Sequence, residues 1–133
     1  MDPYYEVADV HQVSIDGLAG VTYIDKVDGF KRKVQPAGAV KFEGRTDRPY
    51  LDTTSTCILH DPAAHRRITV AKSGSNSTVI WNPWKEATAA MHDMEPDAWL
   101  HMAAIETANV ADNTITLAPK ATHVMHAHIT VED

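Results

Sequence analysis

One glutamate, Glu106, lies inside a run of small and apolar residues that reads A-A-I-E-T-A from position 103 to 108. Burying a carboxylate costs free energy unless the group is hydrogen-bonded or used. Burial also raises the pKa of a carboxyl group toward the range of a general base. Two interpretations stay open: a buried general base, or a carboxylate that strand alternation places on a solvent-facing side. The pattern alone favours the second.

Two indoles flank a turn in the segment W-N-P-W, residues 81–84. Aromatic faces pack against the C–H-rich faces of sugars, and an asparagine amide can hydrogen-bond to sugar hydroxyls. Trp81 and Asn82 are therefore candidate sugar-binding residues, with Trp84 lining or supporting the same cleft. The alternative is that both tryptophans belong to the core on either side of a tight turn, and the pattern alone favours this alternative.

A carboxylate in a basic segment, Asp47, is the third binding candidate. It could accept hydrogen bonds from sugar hydroxyls, or it could form a surface ion pair with Arg45 or Arg48. Surface ion pairs of this kind are common and contribute little to stability. The pattern alone favours the surface pair.

Three histidines near the end of the chain, His123, His126 and His128, have the spacing H-x-x-H-x-H. On a regular strand His126 and His128 share a face, whereas His123 points to the opposite one. No cysteine or acidic residue lies at a recognisable zinc spacing. These histidines are therefore interpreted as surface or packing residues, and no metal site is expected.

The elements that must position these residues are short strands separated by turn signals. About ten strands at such spacings indicate an all-β sandwich or barrel. The best helical stretch is residues 85–91, and a last strand is expected over residues 122–131. Residues 31–37 are predicted to form an exposed loop, residues 45–48 a charged stretch between strands, and residues 113–117 a strand.

Composition indicates an ordinary globular chain. The 133 residues are 44% hydrophobic and 23% charged, so one domain spanning 1–133 is expected. The net charge of −6 argues against a nucleic-acid partner, and no apolar run approaches the roughly 18 residues of a membrane span. The one cysteine, Cys57, and the lack of a signal sequence predict a cytoplasmic location. The basic cluster at positions 31–33 is typical of a solvated face, although one phosphate could bind there.

Several segments, in this order along the chain, resemble a consecutive stretch of the hexose-6-phosphate mutarotases of the aldose 1-epimerase family. The most specific pair is W-N-P-W at 81–84 and I-E-T-A-N at 105–109. The resemblance covers nearly the whole chain, but only about the second half of the family's protein. The other segments are Y-Y-E-V-A-D-V (4–10), G-L-A-G (17–20), Y-I-D-K (23–26), T-D-R-P-Y (46–50), K-S-G-S (72–75), M-H-D-M (91–94) and T-L-A-P (116–119).

The resemblance implies part of a galactose-mutarotase-like β-sandwich with its active site in a cleft across one sheet. It implies a hexose 6-phosphate substrate and no metal or organic cofactor. Glu106 matches the family glutamate that removes the proton of the anomeric hydroxyl, and Asp47 matches the aspartate that binds substrate hydroxyls. A histidine protonates the ring oxygen, the ring opens, and rotation about C1–C2 gives the other anomer. The resemblance thus reverses the pattern-based preference for surface roles at both carboxylates.

The chain departs from the family at the general acid. The family histidine lies just before the stretch that begins here at Tyr4, and Asp2 occupies its place. Most of the phosphate-binding arginines belong to the family's N-terminal half. A carbohydrate-binding module without catalysis, or an inactive remnant, is therefore the alternative function. Because half a sandwich leaves sheet edges and an apolar face uncovered, self-association or a partner that supplies the N-terminal half is expected.

Overall fold

The structure, a computed structural model, describes residues 4–91, 93–116 and 122–133. In these ranges the chain is almost entirely β, as predicted, with one short helix, α1 (Trp84–Ala89). Short 3-10 turns cover Val10–Gln12, Pro62–Ala64, Ala98–His101 and Ala111–Asn113. The strands are β1 (Tyr5–Glu6), β2 (Ser14–Asp16), β3 (Thr22–Asp25), β4 (Lys31–Val34), β5 (Val40–Lys41), β6 (Thr46–Tyr50), β7 (Cys57–Asp61), β8 (Arg66–Ser73), β9 (Ser77–Asn82), β10 (Met102–Ala108) and β11 (His126–Glu132).

The strands form two antiparallel sheets. The larger has the order β1-β10-β9-β6-β3-β4, and the smaller has the order β11-β8-β7-β2-β5. One apolar cluster joins them: Tyr50, Ile80 and Ile105 come from the larger sheet, Ile15 and Leu59 from the smaller. Burying each such side chain contributes roughly 1.5–3 kcal/mol, which holds the two sheets face to face. The predicted β-sandwich is confirmed.

The register of the larger sheet decides which side chains share a face. Directly opposite residues on neighbouring strands point to the same side, and the pairs include Glu106↔Val79 and Ala104↔Trp81. Ile105 lies in the core, so its neighbour Glu106 points away from the smaller sheet. We call this side of the larger sheet the outer face.

Pro49 creates a seam between β6 and β3. The carbonyl of Asp47 accepts, and the N–H of Leu51 donates, hydrogen bonds of 3.1 and 2.8 Å on the β3 side. By alternation, the N–H that residue 49 would direct to β3 is the one that proline lacks. Strands β3 and β6 share one residue pair, Tyr23↔Tyr50. Pro49 therefore lies between β6 and β3, where the ladder of backbone hydrogen bonds has one residue pair.

Two charged segments were wrongly placed outside the sheets. Residues 31–34, predicted as loop, form edge strand β4, and residues 46–50 form β6 at the centre of the larger sheet. An edge strand needs no apolar alternation, because it is solvated along one side. In β6 the neighbouring charges Asp47 and Arg48 point to opposite faces, so the charge run is split by the pleat.

The strand predicted for residues 113–117 is also wrong for its described part. Asn113 ends a 3-10 turn, residues 114–116 have no regular structure, and Leu117 lies outside the described residues. The alternation there extends over too few residues to recruit a partner strand. The described ranges contain no helix that is long and apolar enough to cross a membrane.

Candidate active site

Glu106 lies on β10, whose residues from Met102 to Ile105 are buried. It is half-buried on the outer face, while Ile105 beside it packs into the core. Alternation therefore turns the carboxylate away from the core, but onto a partly covered surface instead of open solvent.

Asp47 lies on β6, half-buried and directly opposite Trp81 of β9. It therefore shares the outer face with Trp81 and Glu106. Arg48, the next residue along β6, points to the inner face. Its guanidinium carbon lies 4.8 Å from the centre of the Tyr23 ring.

The two carboxylates flank an aromatic side chain. Asp47, Trp81 and Ala104 form one row across three strands, and Glu106 lies two residues further along β10. Two strand spacings and a two-residue step separate the Cα atoms of Glu106 and Asp47 by about 12 Å. The half-buried indole of Trp81 lies between them. The outer face thus combines a possible base, Glu106, a hydrogen-bond acceptor, Asp47, and an aromatic surface, Trp81. This combination suits a polyol that has one acidic hydroxyl.

Asn82 is fully buried, at 0% exposure, so it has no surface for a sugar. Its Nδ2 donates to the carbonyls of Trp99 and Met102 at 2.9 and 2.8 Å. Its Oδ1 accepts the N–H of Trp84 at 2.8 Å. The predicted sugar contact of Asn82 is therefore replaced by a supporting role, in which the amide fixes the point where β10 begins.

Trp84 also supports the site without lining it. Its backbone has φ of 60°, and its ring packs at 4.7 Å from that of Trp99 and edge-on to His11 at 5.4 Å. Both indoles contact the core cluster. The interpretation of W-N-P-W as core residues around a turn is thus correct for Trp84, whereas Trp81 faces the candidate site.

The far end of β10 is held by a polar network that the sequence reading missed. Ser75 Oγ lies 2.6 Å from the carbonyl oxygen and 3.1 Å from the nitrogen of Ala108, two residues after Glu106. Lys72 Nζ donates to Ser75 Oγ at 3.0 Å and to two acceptors in β9 at 2.8 Å. Burial lowers the pKa of Lys72 to about 8. Hydroxyl-to-backbone bonds leave little pattern in a sequence, so the K-S-G-S segment did not predict this network.

The basic cluster at 31–33 divides between the two faces. Lys33 ion-pairs with Asp25 and Asp28 at 2.9 and 2.7 Å. Arg32 pairs in register with Ile24 and so points to the outer face, where it is exposed. A guanidinium therefore lies on the same face as Asp47 and Glu106, two strands beyond β6.

Metal-binding groups and cavities are the other features of the described residues that could form a site near Glu106, Asp47 and Trp81. Within residues 4–91, 93–116 and 122–133, no three His, Cys, Asp or Glu side chains are grouped to hold a metal ion. Of the cavities in the described part of the chain, five with volumes of about 230–470 Å³ have linings that do not include Glu106, Asp47 or Trp81. The candidate site is an open sheet face. Asp2 lies outside the described residues.

This chain is similar to known proteins of one family. A family profile for "Aldose 1-epimerase" matches residues 2–130. The "Putative glucose-6-phosphate 1-epimerase" of Escherichia coli (strain K12) is 33% identical over 121 residues, which are 91% of this chain and 41% of that protein. The protein of the same name from Cenchrus ciliaris is 31% identical over 116 residues, 87% of this chain and 35% of that protein.

Two solved structures share the fold. That of a "putative mutarotase (YeaD)" from Salmonella typhimurium has a TM-score of 0.74 and 34% identity, covering 78% of this chain and 35% of its own. HI1317 has a TM-score of 0.80 at 18% identity, covering 97% and 44%. The chain spans less than half the length of each of these four proteins. Because the profile match extends over almost the whole sequence, the chain belongs to the aldose 1-epimerase family.

Proposed function

We propose that this chain carries the general base of an enzyme that interconverts the α and β anomers of an aldohexose 6-phosphate. The observation that supports the proposal most directly is the shared outer face of Glu106, Trp81 and Asp47. Glu106 is half-buried, so its carboxylate is partly shielded from water while a hydroxyl on the outer face can still reach it. The names of the relatives point to the same class of substrate.

In the proposed mechanism the Glu106 carboxylate accepts the proton of the anomeric hydroxyl. The C1–O1 bond becomes a carbonyl, the bond from C1 to the ring oxygen breaks, and its electron pair stays on that oxygen. The ring oxygen then takes a proton from an acid. Rotation about C1–C2 and the reverse sequence of proton transfers close the ring as the other anomer. Asp47 accepts hydrogen bonds from other sugar hydroxyls and so orients the ring over Trp81.

Arg32 is the proposed phosphate contact on this chain. Arg32 is on β4 and Glu106 on β10, so four strand spacings, about 19 Å, separate their Cα atoms across the sheet. The Arg32 guanidinium reaches the phosphate of a bound hexose 6-phosphate only if its side chain leans along the outer face toward Asp47. Guanidinium groups bind phosphate oxygens through two parallel hydrogen bonds.

The test is magnetisation-exchange NMR between the α and β anomers of glucose 6-phosphate, in weak buffer, with and without the chain. We expect faster exchange with the wild type and loss of the acceleration in Glu106→Gln. Glu86→Gln is the matched control, since Glu86 is an exposed glutamate on α1. Equal acceleration by wild type and Glu106→Gln would contradict the assignment of the base.

The alternative is a carbohydrate-binding module without catalysis. The observation that favours it is Asp2 at the position of the family's acid, since a carboxyl group is normally ionised near neutral pH. It predicts chemical-shift changes around Trp81 on addition of glucose 6-phosphate with no change in the exchange rate. Absence of both binding and acceleration would reject both functions for this chain.

A further inference from the structure

The sandwich has four edge strands, and they differ in how they resist pairing with another chain. Short length and lysines are common protections of an exposed edge. Strands β1 and β5 have two residues each, and β4 carries three cations in K-R-K-V. Strand β11 has seven residues, H-A-H-I-T-V-E, and no lysine or arginine. Among the described edges, β11 alone is both long and unprotected.

The inner side of β11 is apolar and uncovered. Ile129 and Val131 pair in register with Val70 and Ile68, which are buried in the core. Yet Ile129 and Val131 are 49% and 56% exposed. The apolar face of the smaller sheet therefore continues past the edge of the larger one. At the point where the larger sheet stops covering the smaller one there is an apolar cavity of about 300 Å³. It is lined in part by Tyr5, Ile105, Met125 and Ile129.

The sequence of β11 is complementary to itself in one antiparallel register. Centring the pairing on Ile129 opposes Ala127 to Val131 and His128 to Thr130. It also opposes His126 to Glu132, so that an imidazole faces a carboxylate. All seven residues pair, and the apolar side of one strand continues the apolar side of the other.

Other registers are poorer. Centring the pairing on His128 places two histidines opposite each other. Centring it on Thr130 leaves His126 of each strand outside the paired residues 128–132. A shift by one residue turns the apolar side of one copy toward the polar side of the other. Glu132 keeps its ion pair with Arg67 at 2.8 Å in the favoured register, because Arg67 lies on β8 behind it.

We propose that β11 is the docking surface for a second copy of this chain, paired antiparallel about a two-fold axis at Ile129. The two five-stranded sheets would join into one of ten strands. Self-complementary edges of this kind form closed dimers, since each copy uses the same patch. The surface lies on the smaller sheet, so the proposal is independent of the proposed function.

Light scattering of the full chain tests the association. We expect twice the 14.6 kDa chain mass for the wild type and a single chain mass for Ile129→Lys, which sets two ammonium groups face to face at the axis. Val34→Lys is the matched control, because Val34 is similarly exposed on the other sheet's edge strand β4. A wild-type monomer across the concentration range, an open series of larger species, or a dimer that survives Ile129→Lys would each overturn the proposal.

Cysteine cross-linking tests the register. Directly opposite Cβ atoms in an antiparallel pair are about 4.5–5.5 Å apart, close to the separation in a disulfide. Ile129→Cys should therefore yield a disulfide-linked dimer on mild oxidation. His128→Cys should yield at least tenfold less, because His128 opposes Thr130 in this register. The native Cys57 is buried and does not interfere. Preferential cross-linking through position 128 would refute the two-fold axis at Ile129.

Discussion

Replacing Asn82 by alanine removes an amide that bonds to three backbone groups around the candidate site. These are the carbonyls of Trp99 and Met102 and the N–H of Trp84, at 2.8–2.9 Å. Each bond contributes roughly 1 kcal/mol net, and a buried group left without a partner costs about 1–3 kcal/mol. The carbonyl of Trp99 and the N–H of Trp84 are only partly buried, so they can bond to water and each costs only the lost bond. The carbonyl of Met102 is buried and carries the larger penalty, so we expect a total loss of about 3–5 kcal/mol.

The assay is urea unfolding followed by tryptophan fluorescence. A loss of about 3–5 kcal/mol is a large share of the 5–15 kcal/mol that stabilises a typical domain. With an m-value of about 2 kcal/mol/M, the midpoint should fall by roughly 1.5–2.5 M. Asn76→Ala is the control, since Asn76 is exposed in the turn before β9 and its replacement should change the free energy of unfolding by less than about 0.5 kcal/mol.

Asn82→Asp tests the same bonds without a change of size. The aspartate keeps an acceptor for the Trp84 N–H but has no donor for the two carbonyls once it is ionised. Burial would raise the pKa of this carboxyl, so its folded-state proton is bound more tightly than in the unfolded chain. The variant should therefore be more stable at low pH and lose stability as the pH rises through the raised pKa. A cost below about 1 kcal/mol for Asn82→Ala would refute the supporting role and return Asn82 to the list of possible ligand contacts.

Two further predictions concern Gly17 and Cys57. Gly17→Ala should cost about 1–3 kcal/mol more than Gly38→Ala in urea unfolding: both glycines have positive φ, but only at Gly17 would the added Cβ lie 2.3 Å from the Thr56 carbonyl oxygen. Equal costs would mean that backbone strain alone matters. Burial raises the pKa of the Cys57 thiol from 9.0 to about 11, so the unfolded chain loses this proton first, and the free energy of unfolding should fall by up to about 1.4 kcal/mol per pH unit between those values. Cys57→Ala should lack this component, and an unchanged pH slope would contradict it.

The strands that could be predicted are those with one face in the core. In β8 the burial of alternate residues leaves a period-2 pattern. Strand β10 is instead buried throughout Met102 to Ile105, and its apolar run predicted a strand that carries Glu106. Strand β4 was not predicted because it lies at the edge of the larger sheet, where neither of its faces must be apolar. Strand β6 was not predicted because its two adjacent charges, Asp47 and Arg48, resemble a solvated charge run. In the structure each of the two points to a different face of the sheet.

The site itself was only half predictable. A carboxylate in an apolar run is a local signal, and it made Glu106 a candidate, although the pattern alone favoured a solvent-facing role. The burial of Asn82 depends on carbonyls 17 and 20 residues away, so an asparagine before a proline looks the same whether it binds a ligand or caps a buried segment. Likewise, the anchoring of Ala108 by Ser75 joins residues 33 positions apart.

The seam at Pro49 divides the larger sheet into parts of unequal backbone cohesion. Strands β10, β9 and β6 are joined by continuous ladders. The β3–β4 pair meets β6 through one residue pair, flanking backbone hydrogen bonds at Asp47 and Leu51, and the packing of Tyr23 on Tyr50 and Arg48. Amide hydrogens of β3 should therefore exchange with solvent faster than those of β9, because the outer hairpin can open as a unit. If the hairpin opens in this way, Arg32 on β4 moves with it and Glu106 on β10 does not. The two ends of the candidate site thus differ in stiffness, with a firm end at the proposed base and a compliant end at the proposed phosphate contact.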